Sequence, residues 1–274
     1  MLSAGALRQK HLSKIPSLDA DILLQLSCNK EKTFLLTHPE YKFTCFQTVK
    51  FFYLLFRYHR GTPIAYLAGH KEFFGLDFMV NKHTLIPRPD TEVLVEEAIK
   101  ILNSGEYSAL IDVGTGSGCI PIAILNNTQK TIAAFATDIS AGASRTAKKN
   151  AALHKVKINY SQGNLLESLK NIPEGKILVT ANLPYLTDEQ FAGEPSIQKE
   201  PRTALVAAEN GLALYRELLE QFKNLNRSFT ALFEFDPSQT EIMKKLIGQH
   251  FPDASVEIKK DLSGQDRVVK IISE

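Results

Sequence analysis

Ala109-Leu110-Ile111-Asp112-Val113-Gly114-Thr115-Gly116-Ser117-Gly118 is the stretch whose reading decides the fold. Five residues of strand character run directly into three glycines at alternate positions. Such a loop turns tightly and lets a ligand approach its backbone amides. From residue 108 onward, strand-like apolar runs alternate with helical ones, the signature of a parallel sheet covered by helices on both faces. Strands are expected at 109–113, 131–137, 157–161, 176–179 and 229–235, and helices at roughly 119–127, 140–153, 211–225 and 238–248. Residues 254–258 and 267–272, on either side of Gly264-Gln265-Asp266, read as two further strands forming an antiparallel pair. The fold class is therefore α/β with a Rossmann-like sheet.

Upstream the pattern is different. Residues 1–60 contain no glycine except Gly5, and Pro16 and Thr37-His38-Pro39 punctuate helical spacing, so a bundle of three or four helices is expected. The run Phe51-Phe52-Tyr53-Leu54-Leu55-Phe56 reads as a helix packed on both sides, in preference to a partner-binding stripe. Residues 61–90 form a linker, with Lys71 to Val80 making a β-hairpin around Gly75. The prolines of Ile86-Pro87-Arg88-Pro89 prevent regular structure until Asp90, which is placed to cap a helix through Ile101. The organisation is thus 1–60 helical, 61–90 linker and 91–274 α/β.

Composition bounds the function. The chain has 274 residues, 44% hydrophobic and 23% charged, enough to bury a core and far from disorder. It has no uncharged apolar run of ~18 residues, so no ordinary membrane-spanning helix is expected, and Met1 to Lys14 lacks a secretory apolar stretch. Cys28, Cys45 and Cys119 are odd in number and far apart, which points to reduced thiols and a cytoplasmic protein. The seven histidines show no HxxxH or HExxH spacing, so no metal is expected. Net charge is +2, but residues 1–60 carry nine Lys/Arg against four Asp/Glu, a local +5 that leaves −3 for the remainder. A basic helical unit suits an acidic partner or RNA, and a solvated surface accounts for it equally well.

The glycine loop is followed at the end of the second strand by Asp138, 24 residues after Gly114. A carboxylate there accepts the ribose hydroxyls of a bound adenosine. A dinucleotide would bring a pyrophosphate to the loop, where Asp112 repels it and no Lys or Arg compensates; the spacing is also GxGxG, not GxGxxG. S-adenosylmethionine carries no phosphate. Its sulfonium and amino group are cations, to which Asp112 is complementary, and it is the cofactor the loop favours. At the end of the third strand, Asn164 has the amide to bond an adenine edge and Leu165 the side chain to cover its face, although Gly163-Asn164 is also an ordinary turn.

The chemistry is placed at Asn182-Leu183-Pro184-Tyr185, directly after the strand at 176–179. Asn182 offers an amide oxygen, Leu183 a backbone carbonyl held by the following proline, and Tyr185 a flat wall. Two acceptors converging on one point hold an –NH2 group by both hydrogens. The bland alternative is a turn rich in Asn and Pro.

Together these segments resemble the glutamine methyltransferases of peptide-chain release factors, the HemK or PrmC family of class I methyltransferases. The resemblance runs along nearly the whole chain. It is carried by Phe73-Phe74-Gly75, Leu85-Ile86-Pro87-Arg88-Pro89-Asp90-Thr91-Glu92, Asp112 to Gly118, Asp138, Asn182 to Tyr185, and Glu200-Pro201-Arg202-Thr203-Ala204-Leu205 with Gly211. The resemblance implies methyl transfer from S-adenosylmethionine to the amide nitrogen of the glutamine in a release factor's Gly-Gly-Gln loop. It also implies that Gly114, Thr115, Gly116, Ser117 and Gly118 hold the methionine end of the cofactor and Asp138 its ribose. Asn182 and the Leu183 carbonyl would hold the substrate amide, with Asn182 also beside the cofactor. Pro184, Tyr185 and Phe74 would shape the pocket, and the N-terminal bundle would contact the release factor. Two positions depart from the family pattern: Leu183 replaces a proline, and Asn164 stands where an aspartate is common.

Asn-Leu-Pro-Tyr also resembles the loop of ribosomal-RNA adenine methyltransferases, since an adenine amino group presents the same –NH2. Such an enzyme extracts its base and normally offers a basic track, whereas the α/β part here is slightly acidic. Nucleic acid is therefore not expected as the direct substrate. A catalytically silent binding protein is the third reading, against which stands the joint presence of the glycine loop, Asp138 and Asn182. A monomer is expected.

Overall fold

The computed structural model describes residues 1–274 and divides into two compact units, Met1–Gly69 and His70–Glu274. The first contains helices α1 (Ala4–His11), α2 (Ser17–Cys28), α3 (Lys32–Thr37), α4 (Cys45–His59) and α5 (Ile64–Ala68). The bundle extends past residue 60 because α5 belongs to it. Ala65 is buried, and Ile64 and Leu67 pack on a core built from Leu7, Leu23, Phe43 and Phe51. Ser3 caps α1 through Ala6 N–H, and Thr44 with Gln47 forms a capping box on α4.

The expectation that α4 is packed on both sides is corrected. Phe51, Leu54 and Leu55 are buried, while Phe46, Val49, Tyr53 and Phe56 are 78%, 68%, 58% and 60% exposed. At 100° per residue a continuous aromatic run encircles the helix, and a small core covers only one arc of it.

The second unit opens with a hairpin of β1 (His70–Phe73) and β2 (Leu76–Met79) turning at Phe74-Gly75. The Pro87–Pro89 segment leads into a 3-10 turn, Pro89–Thr91, and then α6 (Glu92–Ser104). Asp90 is therefore not the cap of α6. Pro89 starts a tighter turn one residue earlier, and the Asp90 carboxylate lies 3.4 Å from Arg267 instead.

The sheet has seven strands: β3 (Ala109–Val113), β4 (Ala133–Asp138), β5 (Asn159–Gln162), β6 (Ile177–Ala181), β7 (Phe229–Glu234), β8 (Ser255–Lys260) and β9 (Asp266–Ser273). Their order is β5-β4-β3-β6-β7-β9-β8, parallel except for β9, which runs antiparallel to both β7 and β8. Strand β3 is buried throughout, and its side chains alternate between two core layers. Ala109, Ile111 and Val113 join a layer with α10 (Ala213–Lys223) and α11 (Thr240–His250). Leu110 joins one with α6 and α7 (Cys119–Asn127), completed by Ala151 of α8 (Ala141–Leu153). This is the two-sided burial that a central parallel strand requires.

The segment after Tyr185 contains α9 (Asp188–Gly193) and two 3-10 turns, Pro195–Ile197 and Arg202–Ala204. A Thr187–Gln190 capping box starts α9. The segment is stitched back onto the chain by Leu186 N–H to Leu205 C=O at 2.9 Å and Ala207 N–H to Leu186 C=O at 3.1 Å.

Candidate active site

Strand order reverses between β3 and β6, and the crevice beyond their carboxyl ends is where open α/β sheets bind ligands. A cavity of about 420 Å³ lies there, lined among others by Gly114, Gly116, Asp138, Asn164, Asn182 and Leu183. Its volume lies within the range of small-molecule sites.

The glycine loop is anchored at both sides. Thr115 N–H donates to Thr137 C=O at 2.9 Å, and Gly116 N–H donates to Asp138 Oδ2 at 2.8 Å. Asp138 Oδ1 accepts Ser140 N–H at 2.8 Å, so both carboxyl oxygens are fixed while the residue still lines the cavity. Burial raises the Asp138 pKa, and the amides of Ser140 and Gly116 oppose the rise. Gly114 is required sterically: at φ +71°, an added Cβ would lie 2.8 Å from Leu183 Cδ2.

Asp112 lies within β3 and is fully buried, not in the cavity wall. Its Oδ1 accepts the Thr180 hydroxyl at 2.7 Å across the β3–β6 pair. Burial pushes its carboxyl up to about 7, against the hydroxyls of Thr115 and Thr180. Any influence it has on a ligand is electrostatic and passes through the loop.

The Asn182-Leu183-Pro184-Tyr185 turn is held from below and behind. Asn182 Nδ2 donates to Thr91 Oγ1 at 3.2 Å, which commits the amide's nitrogen and leaves Oδ1 with no donor from the protein. Leu183 N–H donates to the Tyr215 hydroxyl at 3.1 Å, and the Tyr215 hydroxyl donates to the Glu234 carbonyl. No protein group donates to the Leu183 carbonyl. Gln239 Nε2 donates to the carbonyls of Tyr185 and Asn210, at 2.8 and 2.7 Å. Gly211 (φ +84°) passes so close that an added Cβ would lie 1.9 Å from the Tyr185 carbonyl oxygen.

On the opposite wall, Asn164 Nδ2 donates to Glu217 Oε1 of α10, and Leu165 is buried at φ +48°. The rim is closed by one carboxylate: Glu200 accepts Ile86 N–H at 2.9 Å on Oε2 and the Arg88 guanidinium on Oε1. This ties the proline-rich linker to the Glu200–Val206 segment, and both contribute lining residues.

Residues 3–69 match the family described as PrmC N-terminal domain, and residues 90–192 the family described as Methyltransferase small domain. A release factor glutamine methyltransferase of Bacillus anthracis is 33% identical over 256 residues, covering 91% of this chain and 90% of that protein. The chain belongs to the release factor glutamine methyltransferase family. A second member, from Enterococcus faecalis, is 37% identical over 210 residues, covering 75% of this chain and 74% of that protein. The crystal structure of a methyltransferase from Pyrococcus furiosus superposes with a TM-score of 0.51 at 19% identity, over 74% of this chain and 90% of that one, which supports the fold. The sequence-based expectation of a class I methyltransferase of this family is borne out.

The methyl donor of the release factor glutamine methyltransferase family is S-adenosylmethionine, and the cavity fits it. The hydroxyls of Thr115 and Ser117 are buried beneath the loop, the Thr115 hydroxyl close enough to Asp112 to lower its pKa, while Gly114 and Gly116, with no side chain to fill the space, let a ligand approach the loop backbone. The loop between them carries no Lys or Arg that would call for a phosphate. Asn164, its nitrogen committed to Glu217, has its Oδ1 left to accept, as an aspartate would. Cys119 also lines the cavity, but burial pushes its thiol up to about 12, so it stays neutral and is no nucleophile. No cluster of three or more His, Cys, Asp or Glu is arranged to hold a metal ion.

Two residues expected in this family's pocket are placed elsewhere. Phe74 sits in the hairpin turn at φ +52°, its N–H bound to Glu92 Oε1 at 2.9 Å, and packs on the α6–α7 core layer outside the cavity wall. The Tyr185 ring packs on the α10–α11 layer with its hydroxyl donating to Glu234 Oε1 at 3.3 Å, so it supports the turn from behind. Sequence reasoning missed Thr91, Tyr215, Glu217 and Gln239, which orient the loop or the Asn164 amide. Each lies on a different element from its partner, and only Thr91 fell within a quoted motif.

Proposed function

We propose that this chain transfers a methyl group from S-adenosylmethionine to the side-chain amide nitrogen of a glutamine in a peptide chain release factor. The observation that carries the reading is the pair of unclaimed acceptors, Asn182 Oδ1 and the Leu183 carbonyl, adjacent in one turn on the wall of the glycine-loop cavity. A carboxamide –NH2 has two hydrogens for these two oxygens. Accepting both orients the nitrogen lone pair and stabilises the positive charge that grows on nitrogen as it attacks. Bound in the cavity, the cofactor supplies an electrophilic methyl on a sulfonium. Gly114 to Gly118 are assigned to its methionine end, Asp138 to its ribose, and Asn164 and Leu165 to its adenine. Pro184 fixes the extended geometry of Leu183, whose side chain is buried against Gly114, so the departure from proline keeps the carbonyl in place.

The helical unit is proposed to recognise the release factor, using the exposed Phe46, Val49, Tyr53 and Phe56 face of α4. Cys28, Cys45 and Cys119 are free thiols, in keeping with a cytoplasmic enzyme. No helix is long and apolar enough to cross a membrane. A monomer acting on a protein substrate fits the slightly acidic α/β part. The test is incubation of purified chain with labelled S-adenosylmethionine and either a release factor or ribosomal RNA, with mass-spectrometric site mapping. Label on a glutamine amide is expected; label on adenine alone would overturn the assignment.

A further inference from the structure

Glu234 ends β7, is 1% exposed, and takes no part in the chemistry described above. It nevertheless reaches the Asn182–Tyr185 turn by three routes. Its Oε1 accepts the Tyr185 hydroxyl at 3.3 Å. Its backbone carbonyl accepts the Tyr215 hydroxyl, whose oxygen in turn accepts Leu183 N–H. The Thr91 hydroxyl, which accepts Asn182 Nδ2–H, is close enough to favour the ionised Glu234 carboxyl. Oε2 has no well-formed hydrogen bond, an unusual condition for a buried carboxyl in a native fold.

We propose that Glu234 is a positioning residue of the amide pocket, its carboxylate acting on Asn182 through Thr91 and on Tyr185 directly. The inference rests on the reading of Asn182 as the acceptor of the substrate amide. Thr91 has one hydroxyl hydrogen. With Asn182 donating into its oxygen, that hydrogen is available to an acceptor-only carboxylate. The resulting chain, Asn182 N–H to Thr91 and Thr91 O–H to Glu234, draws electron density toward Asn182 Oδ1, because linked hydrogen bonds polarise one another. A more negative Oδ1 is the better acceptor for a nitrogen gaining positive charge. Protonation of Glu234 removes the charge at the end of the chain and turns one of its oxygens into a donor.

The charged and titratable groups around Glu234 come from several neighbouring elements: Arg267 from β9, Asp90 from the 3-10 turn, Tyr185 from the loop, Tyr215 from α10, Cys119 from α7, whose thiol burial keeps neutral, and Asp236 just past β7. Burial dominates them and pushes the Glu234 carboxyl up to about 7, with Thr91, Arg267 and Tyr185 lowering it and Asp90 raising it. The positioning carboxylate is therefore half-formed near neutrality.

The experiment measures kcat and KM for release-factor methylation from pH 5.5 to 8.5, with calorimetric S-adenosylmethionine affinity, for wild type, Glu234→Gln, Thr91→Val and Asn182→Ala. Wild-type kcat should fall as pH drops through about 7, since kcat reports groups in the bound complex. At pH 8, Glu234→Gln should lose kcat on the order of 10-fold, less than the ~10²-fold expected for losing the acceptor itself. Its KM and cofactor affinity should stay within about 3-fold of wild type, and the low-pH limb should vanish. Thr91→Val should abolish the same limb, and it decides the matter if Glu234→Gln does not fold. A limb retained in the folded variants, or kcat within 2-fold of wild type in Glu234→Gln, overturns the role of Glu234. Asn182→Ala separates the two readings: if it keeps wild-type turnover the pocket assignment itself fails, whereas its loss beside an unaffected Glu234→Gln refutes only the inference.

Discussion

Replacing Asn182 by alanine removes one acceptor from the pocket while leaving the turn in place. The backbone there is held independently, by Leu183 N–H on Tyr215, by Gln239 on the Tyr185 carbonyl, and by the closeness of Gly211. The only protein bond lost is Asn182 Nδ2 to Thr91 at 3.2 Å, a neutral pair whose deletion costs about 0.5–1.5 kcal/mol of stability. The transition state loses more. A preorganised group aimed at developing charge contributes about 2.7–4 kcal/mol, or 10²–10³ in rate, so kcat should fall at least ~10²-fold while the fold survives. Single-turnover transfer of labelled methyl to a release factor measures the loss directly, and a thermal melt measures stability. Turnover within about 5-fold of wild type, in a variant that melts normally, would refute the reasoning.

Asp138→Ala should weaken S-adenosylmethionine binding by about 10-fold or more, the effect of losing a charge-assisted hydrogen-bond acceptor, and calorimetry checks it. Glu217→Ala should free the Asn164 amide to flip and lower cofactor affinity several-fold, roughly the worth of one hydrogen bond; competition against adenine-modified analogues would show the loss to be on the adenine side. Gly211→Ala forces a Cβ onto the Tyr185 carbonyl at a positive φ. Backbone strain of roughly 1–2 kcal/mol plus overpacking of roughly 1–3 should destabilise the protein by about 2–5 kcal/mol, seen as a lower melting temperature. Asp112 is raised from 3.8 to about 7 by burial, and Glu234 from 4.5 to about 7. The folded state thus binds more protons than the unfolded one between those limits, and the stability these groups contribute is lost as pH rises from about 4 to about 7. Asp112→Asn should flatten that decline without abolishing it, the remainder belonging to Glu234 and to Asp138, whose pKa burial also raises. Denaturant titrations across pH, without cofactor, provide the check.

The α/β half was legible because its signals are local. The glycine loop follows β3 without interruption, Asp138 ends β4, and alternating apolar periods place most strands and helices within a few residues of where they lie. The Asn182 turn was legible from its own residue types. What supports it was not. Thr91, Tyr215, Glu234 and Gln239 meet the turn only after β6 and β7 pair and α10 docks, and no spacing along the chain encodes that meeting. Phe74 shows the reverse case. Its place in a quoted motif suggested a pocket wall, but the strained hairpin turn and the Glu92 bond direct it to the core layer. The aromatic run of α4 misled for a geometric reason: six consecutive large residues fit no single face of a helix, so half of them remain in solvent.

Strand β9 follows β8 in the chain yet lies inside it, between β8 and β7. During synthesis, β7 therefore presents an unpaired edge until residues 266–273 leave the ribosome and slot in beside it. That edge carries Thr230, Leu232 and Glu234 opposite Ile272, Lys270 and Val268, so until β9 arrives the six residues of β7 leave backbone hydrogen-bonding groups free to pair with another chain. The sheet on the β7 side is thus completed out of chain order, with β8 waiting for β9 before it has a partner.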